Sequence, residues 1–423
     1  MVGSGQRRRL VLSGAAALVI AAVAAGCGGG GGASTPSSSS KSTKGPVVIG
    51  ESLGETGFLS AFDVPASQGA QIAADEINAS GGIEGRKIVL KKVNNQSEAT
   101  QAYSAAKTLI DEGSQILLGS CNAEQGGPTA RAANEAHLVM FSFCGGEPKL
   151  SRQVGNSNVY TFDMGNETNG VGASMAAFAY KKGLRNVYLL EDTEINYSQE
   201  MCNFFTRAWK EYYKGTSVIG KESFKNADTS IGSQVTAIKS LSKKPDAIVL
   251  CSFLPGGATA LRQLRAAGID TPVVTGDGMD GPALFSAVPN LSNFYEVAAA
   301  SVYGDDPEAG VQTLVKKFEQ TTGKKPEGSY LVFGYSIIQA IDAAMKKDGG
   351  STEGPKLRES LESFRREPLL IGPMTFTKTE HVDGYRPQKI IQVQKDKPAY
   401  VETITPKQVP NPFGGGSLTN PNA

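Results

Sequence analysis

The most constraining feature of this sequence is a regular alternation of short apolar strands with amphipathic helices. From residue 46 onward, runs rich in Val, Ile and Leu alternate with segments whose apolar residues recur at helical spacing. This alternation predicts parallel sheets covered by helices on both faces. Two successive runs of four or five units predict two doubly wound sheets, and one eight-unit barrel is the alternative. The expected strands are 47–50, 87–93, 115–118, 138–143 and 159–162, then 186–190, 217–224, 246–250 and 272–275.

The last third of the chain departs from this rhythm. A strand at 297–302 is followed by predicted helices at 311–322, 330–347 and 355–364. Short strands are then expected at 373–377 and 388–393. Residues 406–423 are rich in Pro, Asn and Gly, which favours a disordered tail.

Composition excludes several classes of function. The 423-residue chain has a formal net charge of +1, so it lacks the basic excess typical of nucleic-acid-binding proteins. Its two histidines leave little material for a His-based metal site or a general base. Residues 276–281 read G-x-G-x-x-G, but Pro282 follows them and they belong to a last strand–helix unit, where a dinucleotide site is not expected. We therefore expect no cofactor, no metal and no catalysis.

The N-terminus has the three parts of an export signal. Arg7, Arg8 and Arg9 precede an apolar stretch at 10–25, which is short for a bilayer span. Residues 24–27, Ala-Ala-Gly-Cys, resemble a bacterial lipobox in which Ala24 replaces the usual Leu. This predicts a signal peptide at 1–26, lipidation of Cys27 and a flexible Gly/Ser-rich linker over 27–45. A plain signal peptide with a free Cys27 is the alternative, and Sec and twin-arginine export both stay open.

Residues 77–88, INASGGIEGRKI, lie between the first helix and the second strand and resemble the Leu/Ile/Val-binding protein family of ABC-transporter solute-binding proteins. Further similar segments occur in the family's order at 54–57, 118–121, 148–150 and 261–268. The resemblance implies the type I periplasmic binding protein fold, with two α/β lobes joined by three crossovers and a ligand between them. It implies a lobe one of 46–164 plus 305–378 and a lobe two of 165–304 plus 379–405.

The resemblance also implies ligand-binding positions in lobe one. Family members hold the α-carboxylate of an amino acid with a Ser after the third strand and an Ala-x-Thr-like segment after the fourth. Asn122 stands at the first place, and Cys144, Gly145 and Gly146 stand at the second, so two hydroxyl side chains are replaced. Asn122 is alternatively an N-cap, and the two glycines alternatively serve turn geometry alone.

Four further positions follow from the resemblance. Phe62 corresponds to an aromatic residue that covers the ligand, and Tyr197 corresponds to one that clasps it from lobe two. Phe253 suggests an apolar wall, and Asp277 matches an acid that pairs with the ligand ammonium. The alternatives are a packed loop aromatic for Phe62, a surface residue for Tyr197 and a solvated turn residue for Asp277.

The lobe assignment favours one of the possible disulfide pairings. With Cys27 lipidated, four remain, and they allow three pairings. One bridge per lobe leaves hinge motion free, so we predict Cys121–Cys144 and Cys202–Cys251, which export to an oxidising compartment favours. Four free buried thiols are the alternative.

Together these features predict an exported solute-binding lipoprotein at the outer face of a bacterial cytoplasmic membrane. It would capture a small amino acid or a related polar or amphipathic molecule for a branched-chain-amino-acid-type ABC permease, as a monomer. A ligand-sensing receptor component of the same fold is the alternative. A surface hydrolase is disfavoured because no nucleophile–base pair is evident.

Overall fold

The first five strands form one parallel sheet, the centre of lobe one. The structure is a computed structural model that describes residues 45–152 and 159–422; the predicted signal peptide and Cys27 lie outside these residues. The strands are β1 (Val47–Leu53), β2 (Ile88–Asn94), β3 (Ile116–Gly119), β4 (Met140–Ser142) and β5 (Thr161–Asp163). Their order across the sheet is β2-β1-β3-β4-β5.

A second sheet forms the centre of lobe two. Its parallel strands are β6 (Asn186–Asp192), β7 (Ser217–Phe224), β8 (Ala247–Cys251), β9 (Val273–Thr275) and β10 (Phe294–Ala298). A small hairpin in lobe one consists of β11 (Glu367–Leu369) and β12 (Gly372–Met374). Strands β13 (Gln388–Gln394) and β14 (Lys397–Ile404) then extend the second sheet, which has the order β14-β13-β10-β9-β8-β6-β7.

The two late strands modify the expected sheet. Strand β13 runs antiparallel to β10, and β14 runs antiparallel to β13. Alternating exposure along β14 is typical of an edge strand with one solvated face. The strand expected at 373–377 ends earlier, because its residues pair in the β11–β12 hairpin and join neither large sheet.

Helices cover both faces of each sheet. Lobe one begins with α1 (Ser60–Ala79), α2 (Ala99–Asp111), α3 (Ala123–Glu135) and α4 (Pro148–Ser151). Lobe two has α5 (Thr168–Lys181), α6 (Asn196–Glu211), α7 (Gly232–Lys239), α8 (Gly256–Ala266) and α9 (Pro282–Ala287). Helices α10 (Ala309–Thr322), α11 (Tyr330–Lys347) and α12 (Gly354–Glu362) then return to the core of lobe one. Among the described residues, none of the helices has both the length and the apolar character needed to cross a membrane.

The chain passes between the lobes three times. It leaves lobe one after β5, returns after β10, and enters lobe two again between β12 and β13. Two separate sheets exclude the single barrel. The predicted fold class, two doubly wound lobes joined by three crossovers, is confirmed.

Two glycines allow α1 and α11 to pack closely. A Cβ atom added at Gly69 would lie 1.8 Å from the carbonyl oxygen of Leu331, and one at Gly334 would lie 1.8 Å from that of Ala66. Glycine inside a helix costs about 1 kcal/mol relative to alanine. Here the cost is offset because the two backbones meet, which fixes the position of α1 against the core of lobe one.

Each lobe contains one disulfide bond. Cys121 is bonded to Cys144 in lobe one, and Cys202 is bonded to Cys251 in lobe two. This is the predicted pairing, and neither bond joins the two lobes.

The segment after β14 is ordered in the structure, contrary to the predicted disordered tail at 406–423. Val409 is completely buried in the core of lobe two. The guanidinium of Arg207 donates to the carbonyl oxygens of Asn411 and Gly414 at 2.8 and 2.7 Å. The tail then reaches the third crossover, where Asn422 Nδ2 donates to Asp383. This Pro- and Gly-rich segment is therefore packed against lobe two. Its buried contacts offset the conformational entropy lost by a segment with little regular secondary structure.

We expect a chain that stops after residue 405 to be less stable by about 1–3 kcal/mol, since it loses the buried Val409 side chain and the Arg207 contacts. Urea unfolding followed by circular dichroism measures this. Phe413→Ala is the matched control, because that ring is 52% exposed and its loss should change stability by less than about 0.5 kcal/mol. An unchanged midpoint for the truncated chain would contradict the packed tail.

Candidate functional site

A cleft between the lobes is the candidate site. It encloses an empty volume of about 410 Å³, open solvent included. Its walls come from the carboxyl ends of strands in both sheets and from the start of α11, the place where open α/β sheets bind ligands. The lining residues are Phe58, Leu59, Phe62, Cys121, Asn122, Cys144 and Tyr330 of lobe one, and Ile195, Tyr197, Phe253, Asp277 and Gly278 of lobe two.

Aromatic side chains form most of the apolar wall. The rings of Phe58 and Phe253 face each other across the lobes, with their centroids 6.2 Å apart. Phe62, near the start of α1, packs edge-on against Tyr330 of α11 at 5.1 Å. The cleft therefore suits a ligand with an apolar body.

Asn122 forms part of the lobe-one wall and also caps α3. Its Oδ1 atom accepts a hydrogen bond from the Gln125 N–H at 3.0 Å. Its Nδ2 atom is buried and has no hydrogen-bond partner among the described residues. Because an unpaired buried donor costs roughly 1–3 kcal/mol, this amide is poised for an acceptor in the cleft. The predicted alternatives, cap and site residue, are thus compatible.

Asp277 forms the polar end of the lobe-two wall. Its two carboxylate oxygens accept hydrogen bonds from the Tyr197 hydroxyl at 2.6 Å and from Asn166 Nδ2 at 2.8 Å. The Tyr330 hydroxyl donates to its backbone carbonyl oxygen. Burial raises the pKa of Asp277, and the hydrogen bonds from Tyr197 and Asn166 oppose this rise. Asp277 is therefore a fixed, buried acceptor and not a solvated turn residue.

Tyr197 clasps the same end of the cleft. Its hydroxyl donates to Asp277 and accepts from the Gly278 N–H at 3.2 Å. Burial, together with the neighbouring Asp277 carboxylate, raises the pKa of Tyr197 well above its usual value. The phenol stays neutral, and its ring forms an apolar surface between the lobes.

A buried arginine supports Asp277 from behind. Arg386, in the third crossover, donates to the Met164 carbonyl oxygen at 2.7 Å and to Asn166 Oδ1 at 2.5 Å. Burial lowers the pKa of Arg386 to about 10, although the nearby Asp383, Asp163 and Asp277 oppose this shift. The group is therefore protonated at neutral pH and orients the Asn166 amide toward Asp277.

Three buried carboxyl groups hold the loops of the lobe-one wall. Asp63 accepts from the Gly54 and Cys121 N–H groups, both at 2.8 Å. Glu147 accepts from the Ala123 N–H at 3.1 Å. Asp163 accepts from the N–H groups of Gly146 at 3.0 Å and Gly165 at 2.7 Å. The Cys121–Cys144 bond joins the two main loops covalently. These bonds pre-organise the wall.

The structure places six of the eight predicted site residues at the cleft: Phe62, Asn122, Cys144, Tyr197, Phe253 and Asp277. Gly145 and Gly146 do not line it. The Gly145 N–H is held by Ser142 Oγ at 2.8 Å, and Gly146 has a φ of +69°, so turn geometry accounts for both.

Sequence reasoning missed several lining residues. Phe58 and Leu59 directly follow the recognised 54–57 segment, so their proximity could have indicated them. Ile195 lies two positions before Tyr197, a predicted site residue, so proximity in the sequence was again the only indication. Tyr330 carried no local signal, because only the return of the chain to lobe one brings α11 to the cleft.

Among residues 45–152 and 159–422, no cluster of three or more His, Cys, Asp or Glu side chains could hold a metal ion. His381, one of the two histidines, is buried away from the cleft lining and stacks on Phe162 with centroids 3.9 Å apart.

Stability should fall as pH rises from about 4 to about 7. Burial raises the pKa of Asp163 to about 7 and that of Asp63 to about 6, despite hydrogen bonds that lower both. Between about pH 4 and these raised values, the folded state holds protons that the unfolded state has already released. The free energy of unfolding therefore decreases as pH rises through the pKa values of the folded state. Asp163→Asn should reduce this loss by an amount on the order of 2–4 kcal/mol.

Urea unfolding at a series of pH values measures this effect. Asp246→Asn is the control. Its slight burial raises the pKa, but hydrogen bonds from Asn186 and Arg185 lower it overall, so the slope between pH 4 and 7 should be retained. An Asp163→Asn slope equal to that of the wild type would contradict the assignment.

Comparison with known proteins gives a consistent family. A family model described as periplasmic binding protein matches residues 46–398. The Leu/Ile/Val-binding protein BraC3 of Rhizobium johnstonii is 23% identical over 328 residues, which cover 77% of this chain and 85% of that protein. An amino acid binding protein of Pseudomonas aeruginosa is 26% identical over 320 residues, which cover 75% of this chain and 82% of that protein.

Solved structures share the fold. The branched-chain amino acid transporter substrate-binding protein LivJ of Streptococcus pneumoniae, in complex with isoleucine, superposes with a TM-score of 0.74 at 22% identity. That match covers 85% of this chain and 100% of LivJ. A solute-binding protein of an ABC transporter from R. palustris, in complex with benzoate, has a TM-score of 0.72 at 19% identity, covering 85% of this chain and 97% of that protein.

Proposed function

Because the chain belongs to the periplasmic binding protein family, whose members bind solutes without catalysing a reaction, we propose a specific role within that family. The protein is the lipid-anchored solute-binding component of an ABC importer of the branched-chain-amino-acid type. It captures a small amino acid or a related amphipathic molecule between its lobes and delivers it to a permease in the membrane.

One observation carries this proposal: two polar groups face a single apolar cleft from opposite lobes. On lobe one, Asn122 Nδ2 is a buried donor without a partner among the described residues. On lobe two, the carboxylate of Asp277 is held in place by Tyr197 and Asn166. A small molecule with an acceptor at one end and a donor at the other would satisfy both walls at once.

The apolar surroundings favour an amphipathic ligand. Phe58, Phe62 and Phe253 surround the cleft, and burial of an aliphatic or aromatic group against them stabilises a complex by about 25 cal/mol per Å² of apolar area. The relatives named above are consistent with this, since one is a complex with isoleucine and another a complex with benzoate.

Hinge closure accounts for capture and release. Phe58 of lobe one meets Phe253 of lobe two across the cleft, with ring centroids 6.2 Å apart, so opening of the lobes would separate the two rings. Neither disulfide crosses between the lobes, so both bonds are compatible with opening. A ligand that touches both walls binds the closed state better and shifts the population toward it.

A thermal-shift screen of the full chain tests ligand capture. Amino acids, amides, short-chain acids and aromatic acids form the panel, and a ligand at a hundredfold excess over its Kd should stabilise the protein by about 2.7 kcal/mol. If no compound stabilises the protein while an ester or peptide is turned over, the binding role is wrong. Reconstitution with the cognate permease distinguishes transport from sensing, because only transport moves labelled ligand into vesicles.

Tyr197→Phe should weaken binding of the ligand found in this screen by about tenfold or more. The Asp277 carboxylate, a charged acceptor, would lose the hydrogen bond that the Tyr197 hydroxyl donates to it. Isothermal titration calorimetry measures the change. Tyr303→Phe is the matched control, because its hydroxyl bonds Asp280, which does not line the cleft. Equal losses of affinity in both variants would remove Tyr197 from the site.

We expect Cys27→Ser to release the protein from the cell envelope into soluble fractions, because two acyl chains give stable anchoring and a plain N-terminus gives none. Metabolic labelling with a radioactive fatty acid, followed by fractionation, measures both effects. Cys202→Ser serves as the control, since Cys202 is bonded to Cys251 inside lobe two and its loss should leave labelling unchanged. Labelling that persists in Cys27→Ser would disprove this anchor.

A further inference from the structure

Several backbone donors in the loops that carry the lobe-one wall are already bound to carboxyl groups of the protein. The Cys121 N–H is taken by Asp63, and the Ala123 N–H is taken by Glu147. The Gly146 N–H is taken by Asp163. These amides lie in the two loops where a carboxylate ligand would need donors, so the wall offers such a ligand few hydrogen bonds.

A side-chain donor on this wall has no partner among the described residues, and it is neutral. Asn122 Nδ2 is buried and has no partner in the described part of the chain, so it can donate to one acceptor. A carbonyl oxygen satisfies it as well as a carboxylate oxygen does. The amide adds no positive charge that would compensate the burial of an anion.

The charge around the cleft is negative. Asp277 is the one charged residue among the described residues of its lining, and no Lys or Arg stands there. The nearby cation Arg386 is committed to Met164, Asn166 and the surrounding aspartates.

From these contacts we infer that the ligand carries an ammonium or N–H donor for Asp277, a neutral carbonyl for Asn122 and an apolar body, and lacks a free carboxylate. Primary-amine amides, such as amino acid amides, belong to this chemical class. The inference rests on the proposed function and narrows its ligand from amino acids in general to their carboxyl-neutral derivatives.

A set of matched compounds separates the two ligand groups. For leucine, the set is L-leucine, L-leucinamide, 4-methylpentanamide and 4-methylpentanoate, which combine presence or absence of the ammonium with carboxylate or amide. Corresponding sets built on alanine and phenylalanine allow for the size of the apolar body. Binding to the full chain is measured by calorimetry at about pH 6.5, where the amines are protonated.

Within the set that fits best, the amino acid amide should bind at least about tenfold more tightly than the free amino acid, since a carboxylate would be buried without a cation. The deaminated amide should come second and the deaminated carboxylate last. A free amino acid that binds as tightly as its amide overturns the inference and leaves the proposed function intact. If no member of any set binds, the amino-acid-like ligand of the proposed function fails, and the inference fails with it.

Two variants test the named contacts. Asp277→Asn should weaken the amino acid amide much more than the deaminated amide, because only the former carries the positive charge. Asn122→Asp keeps an oxygen to cap α3 but removes the donor, so both amides should weaken by about tenfold or more while thermal stability is nearly unchanged. Unchanged amide affinity in Asn122→Asp contradicts the assignment. The comparison of compounds on the wild-type chain does not depend on either variant.

Discussion

The buried guanidinium of Arg386 connects the hinge of this protein to its ligand site. It lies in the third crossover and donates to Met164 and Asn166 of the first crossover, so two of the three connections between the lobes meet at one charge. The bond from Arg386 fixes the orientation of the Asn166 amide, and this amide in turn donates to Asp277 in the cleft. A buried cation needs such partners, because leaving it unpaired would cost several kcal/mol. The same contacts that satisfy Arg386 therefore set the orientation of the site acid.

The two walls of the cleft are built in different ways. In lobe one, loops are fixed by buried carboxyl groups that accept backbone N–H bonds and by the Cys121–Cys144 bond, so the wall is rigid before a ligand arrives. In lobe two, the polar end depends on side chains that bond each other, chiefly Tyr197 with Asp277. Pre-organisation of this kind reduces the entropy lost on binding. It also means that hydrogen-bonding capacity spent on internal order is not available to a ligand.

Much of the fold was predictable because alternating strands and helices leave a local pattern, as in β1 followed by α1. The late strands β13 and β14 were harder, since antiparallel pairing at a sheet edge depends on partners far along the chain. At the site, Asp277 and Tyr197 lie beyond the carboxyl ends of strands, where open α/β sheets bind their ligands and where ligand contacts are therefore expected. Tyr330 was missed because it comes from a helix that joins lobe one only after the second crossover. Hydrogen bonds decide the rest: no pattern in the sequence indicates that Asp163 binds the Gly146 amide.

The close packing of α1 and α11 at Gly69 and Gly334 couples the back of lobe one to the cleft. Helix α1 carries Phe62 at the cleft near its start and Gly69 against α11 about two turns later, roughly 10 Å along the helix axis. A methyl group at either glycine would push the two backbones apart, and a rigid helix would transmit that displacement to Phe62. A substitution at either glycine would therefore move a wall of the cleft without altering any residue that lines it.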